Sequence, residues 1–210
     1  MTEITAKIRP AARHILTIGK GLIKDSYTAL LELVKNAYDA DATEVAIHFI
    51  TFTENNQTKL KITITDNGHG MTTEDVLSKW LVPSTDNKVK NQKSKSGRRE
   101  VQGKKGIGRY ASSILGENIL MQTIDKDTHQ KTEIYIEWKE FEKPEFKYLD
   151  EVPILVESSL ANINEYGTTL QITSDKLWAR ETIETLKNEL RRLVLPFEKE
   201  EEDRFNISFY

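Results

Sequence analysis

ELVKNAYDA, residues 32–40, decides how this chain folds. At 100° per residue, Leu30, Leu31, Leu33, Val34, Ala37 and Tyr38 fall on one broad arc, and Asp25, Thr28, Glu32, Lys35, Asn36 and Asp39 fall on the other. The spacing predicts a helix over residues 26–40 that lies on a core and turns a polar face outward. Glu32 and Asn36 are neighbours one turn apart on that face. Two readings of them stay open. One is a solvated helix face. The other is a working pair, with Glu32 as a general base for water and Asn36 as an oxygen ligand for a metal held by phosphates. Mg²⁺ suits the second, because it keeps its waters and takes only one or two protein oxygens beside phosphate.

Outward from this helix the pattern is mixed. Alternation predicts strands over 43–52 and 60–65, joined as a hairpin through 53–58. A helix over 73–81 follows, opened by a capping box of Thr72 and Asp75. Residues 83–103, rich in Lys, Ser, Asn and Gly, cannot bury a core and read as a mobile loop. A helix over 107–115 and strand-like runs at 119–124, 131–138, 152–156 and 168–173 come next. An amphipathic helix over 180–193 and a strand over 205–210 close the chain, and a short helix over 11–18 precedes residue 26. No repeat and no linker interrupts this order, so residues 1–210 read as one α/β domain.

Composition narrows the class. The 210 residues carry a net charge of −3 and are 38% hydrophobic, the balance of a globular protein rather than a disordered or generally basic one. The absence of cysteine removes disulfides and thiolate metal sites. No apolar run approaches the roughly 20 residues that span a bilayer, and no signal-peptide core opens the chain, so a cytoplasmic location is expected.

Two further segments carry chemistry. DNGHGM, residues 66–71, ends the second predicted strand in a carboxylate. Asn67-Gly68 is a hairpin signal, but MTTEDVLSKW, residues 71–80, has helical spacing instead of a returning strand. Asp66 at the mouth of a sheet can accept a hydrogen bond from an exocyclic amine, with Gly70 giving space and Met71 apolar packing for a flat base. His69 lacks a second metal-type ligand nearby and reads as a solvent-facing loop residue. GKKGIGR, residues 103–109, has Walker spacing between Gly103 and Gly108, yet Arg109-Tyr110 stands where Lys-Ser/Thr is required, so a P-loop is rejected. The order of glycines also reverses the dinucleotide fingerprint. Glycines ahead of a helix N-terminus still let backbone N–H groups hold an anion, with Lys104, Lys105 and Arg109 adding charge. A plain flexible loop is the competing reading.

The ordered trio resembles the GHKL ATPase superfamily, which includes gyrase B subunits, ninety-kilodalton heat-shock chaperones, sensor histidine kinases and mismatch-repair ATPases. Residues 32–40 look like its N-box, 66–71 its DxGxG box and 103–108 its glycine-rich box, and Gly167-Thr168 is similar to the Gly-Thr element beside the adenine-binding Asp. The resemblance implies the Bergerat fold, a two-layer α/β sandwich whose mixed, largely antiparallel sheet is covered by helices on one face. It implies that Asn36 binds Mg²⁺, that Asp66 and Thr168 read adenine, and that the backbone from Gly103 through Lys104, Lys105, Gly106 and Ile107 to Gly108 wraps the phosphates. It extends the ATP-binding set to Asp39, Ala40, Thr85 and Lys88, and makes residues 83–102 the ATP lid.

Within the superfamily, the carboxylate of Glu32 one turn before Asn36 favours hydrolysis over the phosphotransfer of histidine kinases. His14, the early candidate for a phosphoacceptor, reads as packed or solvent-exposed. The wording of ELVKNAYDADAT and STDNK resembles the chaperone-like and microrchidia-like branch. That likeness implies ATP-dependent lid closure, homodimerisation and slow turnover in the N-terminal part of a longer protein. The basic lid leaves three readings open: attraction for a triphosphate, contact with nucleic acid, or a solvated loop. Its lack of aromatic residues counts against single-strand stacking. The competing function is a nucleotide-gated interaction module with negligible hydrolysis.

Overall fold

Strict alternation in two adjacent runs builds the centre of the molecule. In the computed structural model, which describes residues 3, 5–83, 93–103, 108–194 and 205–210, strands β1 (Glu44–Glu54) and β2 (Gln57–Asp66) form an antiparallel hairpin. Val45, Ile47, Leu60, Ile62 and Ile64 are buried on one face, while Lys61 and Thr63 take the other. The connection is tighter than the expected 53–58 loop. Asn55 and Asn56 alone make the turn, with φ of 49° and 61°, the left-handed pair that a two-residue hairpin needs and that Asn tolerates.

Strands β3 (Asn118–Ile124), β4 (Gln130–Glu137), β5 (Val156–Leu160), β6 (Gly167–Ser174) and β7 (Asn206–Phe209) complete a sheet of order β5-β4-β3-β6-β2-β1-β7. All pairings are antiparallel except β1 with β7, so the sheet is mixed, as expected. The run expected as a strand over 152–156 pairs instead over Val156–Leu160. Pro153 supplies no N–H, and the ladder to β4 begins only where Val156 meets Ile134.

The helices lie on the apolar face of the sheet. Helix α1 (His14–Leu22) contributes Ile15 and Leu16, and α2 (Ser26–Asp39) contributes Ala29, Leu30, Leu33, Val34, Ala37 and Tyr38. Asp25 caps α2 through its side chain, which accepts from the Thr28 amide at 2.7 Å. Helix α3 (Thr73–Asp75) has the expected capping box of Thr72 and Asp75 but passes into a π-helical turn over Val76–Trp80. A 3₁₀ turn over Gly108–Ala111 leads into α4 (Ser112–Leu115), and α5 (Arg180–Val194) buries Leu186 and Leu190. The acidic run at 198–203 lies outside the described residues.

The Asn55-Asn56 turn gives a stability test. Asn56→Gly leaves stability equal or slightly higher, whereas Asn56→Val lowers it by about 1–2 kcal/mol because a β-branched residue is forced into the left-handed region, as urea unfolding would measure.

Candidate functional site

Three positions along the polar face of α2 hold both ends of the glycine-rich run. The backbone at Gly108 lies against the first two: a Cβ there would stand 3.2 Å from Glu32 Cβ, 3.3 Å from Glu32 Oε2 and 3.6 Å from Asn36 Nδ2. Glu32 Oε1 is held by Lys35 Nζ at 2.9 Å, leaving Oε2 as the oxygen beside Gly108. At the third position the Asp39 carboxylate accepts from the Gln102 amide at 2.7 Å through Oδ1 and from the Gly103 amide at 3.0 Å through Oδ2. Asn36 and Glu32 offer an amide and a carboxylate on one half-buried edge. No group of three or more His, Cys, Asp or Glu side chains gathers as a metal site among the described residues. Such a donor set fits a hard cation that brings phosphate and water ligands with it, and does not fit a cage built from protein alone. Thr85, Lys88, Lys104, Lys105, Gly106, Ile107 and the Arg109 side chain lie outside the described residues.

The second cluster forms where β2 ends. Asp66 Oδ1 accepts from the amides of Gly68 at 2.9 Å and Thr168 at 3.3 Å, and Oδ2 accepts no hydrogen bond among the described residues. Burial pushes the Asp66 carboxyl up to about 6, with the Gly68 and Thr168 hydrogen bonds acting the other way. The corner after it is built by close backbone approaches. Asn67 Oδ1 accepts from the Thr43 and Glu44 amides at 2.8 and 2.9 Å, so Asn67-Gly68 ties the loop to the start of β1 instead of turning a hairpin. The His69 amide donates to Ala40 O at 2.9 Å, and Gly68 sits where a Cβ would be 2.7 Å from that same oxygen. Ala40 thus joins α2 to this corner. Gly70, at φ 66°, has Ile124 O only 1.9 Å from where a Cβ would be, so the space it leaves is filled by the β3 carbonyl. His69 is half-buried, not solvent-facing, with Nδ1 2.6 Å from Gly70 O.

Strand register extends this cluster. Asp66 is opposite Thr168, Thr168 opposite Thr123, Thr123 opposite Thr132 and Thr132 opposite Ser158. This polar row runs across five strands on the inner face, one step beyond the apolar row of Ile64, Leu170, Met121, Ile134 and Val156. Thr123 and Thr132 are fully buried. Thr123 Oγ1 accepts from the Met71 amide at 3.0 Å and lies 3.0 Å from Thr168 Oγ1, while Thr73 Oγ1 bridges Thr132 Oγ1 at 2.8 Å and Ser158 Oγ at 2.9 Å. Sequence reading missed Thr123, Thr132 and Ser158. Their signal is a hydroxyl one inward step from an apolar residue of each strand, which becomes visible only once the strands are in register.

The described part of the expected lid is anchored. Arg99, grouped with the lid cations by sequence, is 5% exposed. Its guanidinium donates to Tyr38 O at 3.2 Å and Ala42 O at 2.6 Å and stacks on the Tyr38 ring at 4.4 Å, so it caps the end of α2. Asp41 accepts from the Ser96 amide and hydroxyl at 2.8 and 2.7 Å. Burial raises the Asp41 carboxyl, but hydrogen bonds from Ser94 and Ser96 outweigh it and hold the group below the usual range. Lys95 pairs with Asp127 at 2.7 Å. Residues 93–103 therefore form a docked segment, and their cations are partly neutralised by acids from outside it.

A mixed sheet is covered by helices on one face, with Gly103 and Gly108 against α2 and a half-buried acid at the end of β2. The family described as histidine kinase-, DNA gyrase B- and HSP90-like ATPase matches residues 24–189, and the chain belongs to that family. It is an ATP-binding domain of the GHKL type. Over 91 residues it is 40% identical to a putative type II restriction enzyme, HgiDII, of Herpetosiphon aurantiacus; the match covers 43% of this chain and 13% of that protein. The chain thus spans a minor part of the length of that curated relative. No helix among the described residues is long and apolar enough to cross a membrane.

Asp39→Asn replaces one acceptor by a donor facing an amide. Hydrogen exchange at Gln102 and Gly103 accelerates by about tenfold or more, since a hydrogen bond to a charged group is worth about 1.5–3 kcal/mol, while exchange in the β2–β6 ladder stays unchanged.

Proposed function

We propose that the domain binds Mg²⁺-ATP and hydrolyses it slowly, with Glu32 as the general base. The observation that carries this reading is the convergence of Glu32 Oε2 and Asn36 on the backbone at Gly108, at the end of the glycine-rich run. In this reading the run from Gly103 to Gly108 receives the phosphates through its backbone, and Lys104, Lys105, Arg109 and Lys88 add positive charge. Asn36 would hold the Mg²⁺, and the ion would supply charge neutralisation at the phosphates. Glu32 orients a water and takes its proton, a role worth roughly 10²–10⁴ in rate. Asp66 accepts from the adenine amino group through Oδ2, with Thr168 beside it and Met71 against the base.

Around this chemistry we place lid closure and conformational switching or dimerisation of a larger, cytoplasmic protein, on the chaperone-like and microrchidia-like side of the family. The motif wording of residues 32–43 supports that placement. One observation favours the second reading, a nucleotide-gated interaction module with negligible hydrolysis in isolation. Lys35 on Glu32 Oε1 competes with water for the carboxylate, so turnover awaits whatever displaces or reorients that ammonium.

Phosphate release with Mg²⁺-ATP separates the two. Under the first reading Glu32→Gln lowers turnover at least about 100-fold while the ATP dissociation constant, by calorimetry, changes less than about threefold. Equal rates in both proteins overturn the catalytic assignment and leave the module. A pH series tests the base end. Only ionised Asp66 presents two acceptor oxygens, so ADP affinity is flat above pH 6 and falls by up to about tenfold per unit below it, as the carboxyl of the free domain protonates. Asp66→Asn weakens ADP at pH 7.5 by about tenfold or more and removes that pH dependence.

A further inference from the structure

Strand β5 is one edge of the sheet, and the direction of its hydrogen-bonding groups follows from its neighbours. The Asp125 amide donates to Gln130 O, so the even-numbered residues of β4 bond to β3. The Ala161 amide donates to His129 O, so the odd-numbered residues of β4 bond to β5 and are taken there by Glu157, Ser159 and Ala161. Val156, Ser158 and Leu160 therefore point their N–H and C=O groups off the edge. Residues 157–160 are exposed.

Edges are ordinarily protected by a proline, a bulge, an inward-pointing charge or a covering segment. Here the register with β4 is continuous, and the run Val-Glu-Ser-Ser-Leu contains no proline. The side chains it turns to the helix-covered face, Val156, Ser158 and Leu160, carry no charge. Two leucines are left in water, Leu155 at 71% exposure and Leu160 at 81%.

We propose that β5 is a homodimer edge: β5 of a second copy of this chain pairs with it antiparallel, about a two-fold axis at Ser158. In this register Ser158 faces its own counterpart and Val156 faces Leu160 of the second copy, so all three outward residues form hydrogen-bonded pairs of two bonds each. Leu155 lies opposite Ala161, and Glu157 opposite Ser159, so each exposed leucine gains an apolar neighbour. Pairing Val156 with Ser158 instead would keep only two of those pairs and set Glu157 against Glu157 at the closer cross-strand spacing. Pairing Ser158 with Leu160 would also lose one pair and carry Leu155 past Ala161. Bond count and charge thus select one register, and the strand supplies its own complement, which favours a second copy over an unrelated peptide. Opposite residues share a face, so the axis stands perpendicular to the sheet and the helices of both copies lie on one side. The proposal gives the dimerisation placed above a face, and it stands whether or not the domain binds nucleotide.

The test is sedimentation equilibrium of the 210-residue chain, with thermal melting of each variant. So small a contact gives a weak dimer, with a dissociation constant between about 1 and 100 μM. Leu160→Lys puts a charge on the edge at a side chain already in water; it weakens the dimer about tenfold or more and leaves the melting temperature unchanged. The register is read by a double variant, Leu155→Cys with Ala161→Cys, in a chain that has no cysteine of its own. On oxidation it becomes a covalent dimer. Either single variant stays uncrosslinked, because equal positions on the two strands lie about 20 Å apart, beyond the reach of a disulfide. A wild type that remains monomeric at about 1 mM overturns the proposal, as does a Leu160→Lys variant that dimerises with the wild-type constant. A dimer in which the folded cysteine pair does not crosslink uses another face and overturns it too; this arm decides should the lysine variant not fold.

Discussion

The register that sets Asp66 of β2 opposite Thr168 of β6, and Thr168 opposite Thr123 of β3, is the constraint on which the rest of the site depends. Side chains alternate with a period of two, so a slip of one residue in either pairing would send these groups to the open face of the sheet and bring Thr65, Thr169 and Gln122 inward. The apolar row beneath prevents that slip. Ile64, Met121 and Ile134 are essentially inaccessible to water, and moving them outward would expose three large side chains at about 1.5–3 kcal/mol each. The polar row is therefore positioned by hydrophobic burial one step away, which is why a half-buried carboxylate with a raised pKa can be tolerated at its end.

The phosphate end is organised by a helix instead of a sheet. Glu32, Asn36 and Asp39 recur on one face of α2, and Gln102 and Gly103 on one side of the glycine-rich run and Gly108 on the other lie against that face. The helix is itself clamped at its C-terminus, where Arg99 takes the carbonyls of Tyr38 and Ala42 and stacks on the Tyr38 and Phe205 rings. A buried guanidinium is tolerable there because backbone carbonyls and aromatic faces replace part of its lost hydration.

Much of this was legible in the sequence, and the remainder failed for identifiable reasons. The α2 face, the β1–β2 hairpin and the Thr72–Asp75 box follow from local periodicity and capping, which operate within a few residues of chain, while the mixed, largely antiparallel sheet was expected from the resemblance. Arg99 could not be told from its basic neighbours, because its burial depends on carbonyls some sixty positions earlier. Thr123 could not be singled out, because a threonine at a strand end is unremarkable until its cross-strand partners are known. The β5 boundary slipped because Val152 and Ile154 alternate as a strand does, while Pro153 between them denies the ladder a donor. The Asn55-Asn56 turn was readable in principle, since two consecutive Asn residues suit the left-handed pair, but the flanking Thr and Glu blurred where pairing stops.

Between the two ends lies one short corner that both of them use. Ala40 O receives the His69 amide, Asn67 holds the amides of Thr43 and Glu44, Arg99 holds Ala42 O, and Asp41 holds Ser96. Residues 38–44 thus bond to the loop that follows Asp66 and to the segment that leads into Gly103. A base held at Asp66 and a phosphate held at the glycine-rich run would act on opposite sides of the same seven-residue stretch. Its backbone groups are engaged by side chains from both directions, so displacing either neighbour strands buried or half-buried polar atoms of the corner. That cost makes the docked segment 93–103 part of the wall of the site. Lys95 and Arg99 within it consequently belong to the architecture of the wall, and on the proposed reading the affinity for a triphosphate would come from the glycine-rich backbone and from the charges nearest to it.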